Sequence, residues 1–107
     1  MIYELRIYDT LPGKLQALSK RFTDHTIGYF EKHGIKLVGL WTDAVGTSNR
    51  LTYIVAFEDA AHRDKAWVSC LSDPGLREVF AESEREGPLI ATMTNTIMRP
   101  IAGSPLQ

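Results

Sequence analysis

Residues 35–57 read IKLVGLWTDAVGTSNRLTYIVAF, and the fold turns on them. Ile35 to Trp41 and Leu51 to Phe57 are two strand-like runs, rich in β-branched and aromatic residues and apolar on both faces. Gly46-Thr47-Ser48-Asn49 between them is turn chemistry, so the pair reads as a hairpin. Upstream, residues 12–33 carry Leu15, Leu18, Phe22 and Tyr29 at helical spacing, with a gap near His25 and Thr26. Gly34 ends that helix, and a mid-helix Gly28 predicts a kink or a close backbone approach. Before it, residues 1–9 alternate with period two, Tyr3, Leu5 and Ile7 against Glu4, Arg6 and Tyr8. Downstream, Asp59 caps a helix from Ala60 to about Leu71, and Asp73-Pro74 opens another that carries Leu76, Val79 and Phe80. Leu89 to Met98 is a last strand, stopped by Pro100. The order is β-α-β-β-α-β with the second crossover split in two. It predicts an α+β, ferredoxin-like fold with a four-stranded antiparallel sheet and helices on one side.

The chain has 107 residues, one domain's length, with 44% hydrophobic and 23% charged residues. A domain over residues 1–100 and a C-terminal tail over 101–107 are expected. The formal net charge of -1 gives no basic stripe for nucleic acid. No apolar run is long enough for a membrane helix. The single cysteine, Cys70, has no partner for an internal disulfide, and no leader precedes the first strand; a cytoplasmic location is the expectation.

A lone sheet covered by helices on one side has a polar face toward water. Here both hairpin strands are apolar on both parities, so apolar area is left over whichever face is turned out. A second copy packed sheet to sheet answers this, and a homodimer is predicted. If Tyr3, Leu5 and Ile7 face the helices, then Glu4, Arg6 and Ile54 lie at that dimer interface, with Glu4 and Arg6 as a buried cross-subunit ion pair.

The ordered tags resemble the NIPSNAP family. They are Tyr3-Glu4-Leu5-Arg6-Ile7-Tyr8, Pro12-Gly13-Lys14-Leu15, His33-Gly34, Gly39-Leu40-Trp41-Thr42, the hairpin from Gly46 to Asp59 with Arg63 after it, Asp73-Pro74, and Asn95-Thr96-Ile97-Met98-Arg99-Pro100. The resemblance spans about residues 1–100. It implies a dimeric α+β barrel of ferredoxin-like subunits, a class that holds enzymes and proteins of no known activity. It brings no catalytic motif with it, and fold kinship does not fix function.

His25 stands one turn before Tyr29 on the border of the apolar stripe, and the two are the candidate catalytic pair, His25 as acid or base. His33 at the helix end reads as a cap, and His62 as solvated. Trp41, Tyr53 and Trp67 are the candidate walls of a pocket for a flat organic ligand. The histidines and Cys70 lack a convergent third ligand, so no metal and no cofactor is expected. Phosphate-loop and nucleophile-elbow motifs are absent. Two functions follow: a NIPSNAP-like homodimer that binds a small hydrophobic or aromatic ligand between sheet and helices, or a cofactor-independent enzyme, oxygenase- or isomerase-like, acting on a small aromatic or carbonyl compound.

Overall fold

The computed structural model describes residues 1–107. Strand β1 (Ile2–Thr10) is followed by a long helical segment, then β2 (Lys36–Thr42), β3 (Arg50–Phe57), α3 (Ala60–Leu71), α4 (Pro74–Ser83) and β4 (Ile90–Met98). The first helical segment is α1 (Leu15–Arg21), a π turn over Phe22–Thr26, and α2 (Ile27–Lys32). The sheet order is β2-β3-β1-β4, with every pairing antiparallel. This is the ferredoxin-like arrangement that the hairpin and its flanks predict. Asp59 caps α3 by accepting from the His62 N–H, and Asp73 caps α4 by accepting from the Gly75 N–H. Asn49, at φ 63°, takes the left-handed position that closes the hairpin.

The apolar pattern of β2 has a specific cause. Its register against β3 shifts between Leu37 and Gly39, so Val38 is a bulge. Leu37 pairs with Val55 and Leu40 with Tyr53, so both leucines face the helices although three residues apart. Gly39 and Trp41 turn to the other face, paired with Ile54 and Thr52.

The parity of β1 is the reverse of the expectation. Glu4 is fully buried beneath the helices, and Tyr8 lies in the core beside Phe22 and Tyr53. Tyr3, Leu5 and Ile7 share the open face with Ala56, Ile54 and Thr52 on β3 and with Met98, Thr96 and Thr94 on β4. Ile54 therefore sits on the open face as expected, whereas Glu4 and Arg6 do not.

The π turn corrects a second expectation. The buried positions of the first helical segment are Leu18, Arg21, Phe22, Thr26 and Phe30. From Leu18 onward, the core contacts at Phe22, Thr26 and Phe30 recur every four residues. An ideal helix drifts off that spacing by about 40° per step, and one wide turn restores the phase. The adjustment turns Phe30, not Tyr29, to the core. His25 is exposed and Tyr29 is half-buried over α4.

Gly28 is neither kinked nor in close contact: it has helical backbone, and a Cβ there would meet nothing within 4 Å. The distortion lies one turn earlier, at Phe22–Thr26. Gly28→Ala should therefore stabilise the protein, by up to about 1 kcal/mol, read as a higher midpoint in a denaturant titration. A fall in stability would mean that the position makes a contact absent from this structure.

Candidate functional site

Glu4 stands at the middle of β1, inside the helix layer, with its side chain 1% exposed. Its Oε1 accepts from Arg63 Nε at 2.8 Å and from Trp67 Nε1 at 2.9 Å. Its Oε2 accepts from Arg6 Nη1 at 2.8 Å and from Arg63 Nη2 at 3.2 Å. The alternation of β1 and the turn of α3 produce this meeting. Glu4 and Arg6 share a strand face, and Arg63 and Trp67 are four residues apart on one side of α3. Burial raises the Glu4 carboxyl, but hydrogen bonds from Arg63 and Trp67 and the charges of Arg6 and Arg63 outweigh it and hold the group below its ordinary value.

The polar chain continues inward. Arg6 Nε donates to Tyr8 Oη at 3.1 Å, and the Tyr8 and Tyr53 hydroxyls are 2.6 Å apart. The Arg6 guanidinium lies over the Trp67 ring, 4.5 Å from its centroid. Burial, then the neighbouring Tyr8, raises the Tyr53 hydroxyl well above its ordinary value, so Tyr53 stays a neutral hydroxyl at working pH.

Beside this chain, between the sheet and the helices, is a cavity of about 240 Å³. Phe22, Phe30, Tyr53 and Trp67 supply aromatic walls; Leu76, Phe80, Ile90 and Met93 supply further apolar lining. Arg6, Tyr8, Arg21, Thr26 and Glu84 bring its polar groups. The space exists because α4 and the π turn meet over β1 while β4, at the sheet edge, is left largely uncovered. A volume of 240 Å³ is somewhat below the ~300–1,000 Å³ of drug-sized sites. It suits a one- or two-ring molecule.

The predicted site residues divide between three places. Tyr53 and Trp67 line the cavity. His25 and Tyr29 lie instead in an outer groove between the first helical segment and α4, with Lys20, Asp24, Glu78 and Glu82. The π turn rotates them there. Trp41 is on the open sheet face, half exposed, with its ring lying across Gly39. Among the polar residues of the site, Tyr8, Arg21 and Arg63 went unpredicted. Tyr8 shares its strand face with Glu4 and Arg6, and correct parity would have found it. Arg21 follows Leu18 at helical spacing, a signal hidden by its charge. Arg63 stands four residues before Trp67.

His33 and His62 serve the frame. His33 bonds Ser69 Oγ and Asp73 Oδ2, each at 2.7 Å. Lys32 and His33 on Asp73 pull that carboxyl well below the carboxylate range, although burial opposes them. His62 Nδ1 accepts the Glu58 N–H at 3.0 Å, and its Nε2 lies 3.1 Å from the Gly34 carbonyl, so His62 ties α3 to the loop before β2. Cys70 is fully buried, and burial pushes its thiol up, away from the reactive thiolate. No three His, Cys, Asp or Glu side chains converge to hold a metal ion, and no helix is long and apolar enough to cross a membrane.

Glu4→Gln should cost about 3 kcal/mol, because it leaves the largely buried Arg6 cation beside a neutral amide and takes one of its two carboxylates from the partly exposed Arg63. A carboxyl held below its ordinary value stabilises the fold above that value, and the contribution is lost as pH falls through the lowered one. Wild-type stability should therefore drop below about pH 4.5. The Glu4→Gln variant should lose less over the same range. Urea titrations at several pH values measure both; equal slopes in the two proteins would refute the role given to Glu4.

The NIPSNAP family model matches residues 3–105. The match runs past the expected domain end at residue 100. None of the curated proteins matches the sequence. Among solved structures, the chain is similar to a NIPSNAP family protein of unknown function from Agrobacterium tumefaciens, at 30% identity and a TM-score of 0.88, covering 100% of this chain and 94% of that one. An uncharacterized NIPSNAP-like domain protein from Burkholderia xenovorans is 26% identical at a TM-score of 0.87, with 97% of this chain and 88% of that one covered. A putative antibiotic biosynthesis monooxygenase from Chloroflexus aurantiacus shares the fold at 18% identity and a TM-score of 0.64, covering 96% of each chain. With nearly its whole length matched by the family model, and with the β1, glycine–tryptophan and β4 tags standing on the strands of that fold, this chain belongs to the NIPSNAP family.

Proposed function

We propose that this chain is a homodimeric binding protein whose cavity between sheet and helices takes a small hydrophobic or aromatic molecule. The observation that carries the reading is the cavity of about 240 Å³, walled by Phe22, Phe30, Tyr53 and Trp67. Well-packed interiors of this size leave few voids larger than a water molecule. A cavity of mainly aromatic lining, with a few polar groups at one side, is the ordinary form of a small-molecule site. The enzymatic alternative, with His25 as acid or base, needs that histidine in the cavity. His25 lines the outer groove instead, so binding is the reading with support.

The open sheet face supports the dimer. Tyr3, Leu5, Ile7, Ile54 and Met98 form an apolar field across three strands, with Trp41 at its margin on β2. A second copy packed face to face removes that area from water and makes the same patch serve both partners.

Two measurements test the reading. Sedimentation equilibrium at micromolar concentration should give about twice the 12.0 kDa chain mass, and Ile54→Asp should bring it to one chain or prevent folding. A monomer mass for the wild type overturns the dimer. In amide-detected NMR, one- and two-ring aromatic compounds should cause saturable shifts at the Trp67 indole N–H and at the Phe30 and Leu76 amides. No saturable shift at millimolar concentration overturns the ligand site.

A further inference from the structure

We infer that the cavity is built for an anionic ligand, a small arene carboxylate, whose ring lies among the aromatic walls and whose charge is met by Arg21 and Arg6. The inference rests on the cavity being a ligand site and names the chemistry of its occupant.

The leading observation is Arg21. It is 7% exposed, yet no carboxylate lies within hydrogen-bond distance of it. Its Nη1 donates to Ser83 Oγ at 3.1 Å, and the nearest anion, Glu84 Oε1, is 4.0 Å away and partly exposed. Its Nε is buried with no partner at all. Guanidinium carries five N–H donors, and burying them unmatched is costly. A buried donor left in this state calls for a partner that the chain itself does not supply. Arg21 lies on the cavity wall, stacked at 4.6 Å over Phe80, which is itself part of the lining.

The second observation is the state of Arg6. Its Nη1 is engaged by Glu4 and its Nε by Tyr8. Glu4 is in turn shared with Arg63 and Trp67, so its charge is already spread over two guanidiniums. Of the charged side chains that line the cavity itself, Arg6 and Arg21 are cationic and Glu84 is anionic. The Tyr8–Tyr53 hydroxyl pair adjoins the Arg6 guanidinium, which donates to Tyr8, and both tyrosines line the cavity with Arg21. Neutral hydroxyls can donate to a carboxylate, and the guanidinium fork matches its two oxygens. A cationic ligand would meet two guanidiniums. A neutral one would leave Arg21 as it stands.

Isothermal titration with 1-naphthoate and 1-naphthamide separates charge from ring. The carboxylate should bind at least about tenfold more tightly than the amide, as expected of charge-assisted hydrogen bonds in a buried site. Arg21→Gln should remove most of that preference while leaving the amide affinity within about twofold. Glu84→Gln, on the partly exposed wall, removes the competing anion and should strengthen naphthoate binding by about two- to fivefold. Glu84→Gln keeps the test open should Arg21→Gln fail to fold, which circular dichroism would reveal. Equal affinities for acid and amide overturn the anion assignment and leave the aromatic site standing. An unchanged preference in a folded Arg21→Gln also overturns it. Failure of both compounds to bind at millimolar concentration overturns the ligand site as well.

Discussion

One carboxylate organises this molecule. Glu4 lies on the inner face of a central strand, where an uncompensated charge would cost several kcal/mol. It can stay there only with all its lone pairs occupied, and they are, by two guanidiniums and an indole N–H. Each donor is thereby fixed. Arg63 and Trp67 bring α3 down onto β1. Arg6 is held over the Trp67 ring and reaches Tyr8, which in turn reaches Tyr53 on β3. Two strands and one helix are aligned by a single polar relay in which every link is a side chain of defined direction.

That arrangement inverts the usual sense of an amphipathic strand. Polar Glu4 and Arg6 go under the helices, and apolar Leu5 and Ile7 go to the open face. In an isolated sheet the inversion would be a double penalty, with charge buried and hydrocarbon exposed. It becomes economical if each face has its own use. The inner polar relay forms one wall of a cavity, where directed donors are wanted. The outer apolar field is what a second sheet would cover. The same parity thus serves the cavity and the proposed dimer together, and shifting β1 by one residue would spoil both.

The fold was legible because its signals are local and repeated: a hairpin between two helical stretches, capping Asp59 and Asp73, Pro74 at a helix start, Gly34 at a helix end. Those features depend on neighbours in sequence. The candidate site was legible only in part, and for physical reasons. Tyr53 and Trp67 reach the cavity because large aromatics on the inner sheet face and on the facing helix have nowhere else to go. The side of β1 was misread because polarity is a sound guide to burial only for groups without partners, and two of the three partners of Glu4, Arg63 and Trp67, lie 59 and 63 residues away. Trp41 was misassigned because the Val38 bulge changes parity in mid-strand without any glycine or proline at the bulged residue to announce it. His25 was misassigned because an ideal helix carries it to the border of the stripe, and the wide turn carries it off.

The π turn is where these threads meet. Four-residue spacing from Leu18 to Phe30 cannot be kept on one face of a regular helix, and the widened turn is the backbone's way of keeping it. Its cost is an irregular stretch of hydrogen bonding in the first long helix. Its effect is to present Phe22, Thr26 and Phe30 to the cavity, directly after Arg21, which closes α1. With regular winding, Phe22 and Phe30 would not face the same void; Arg21 reaches it from the regular helix just before the turn. The distortion brings two aromatic walls into one space beside an under-bonded guanidinium. That pairing of a flat apolar bed with a cation beside it is the geometry on which the proposed site rests.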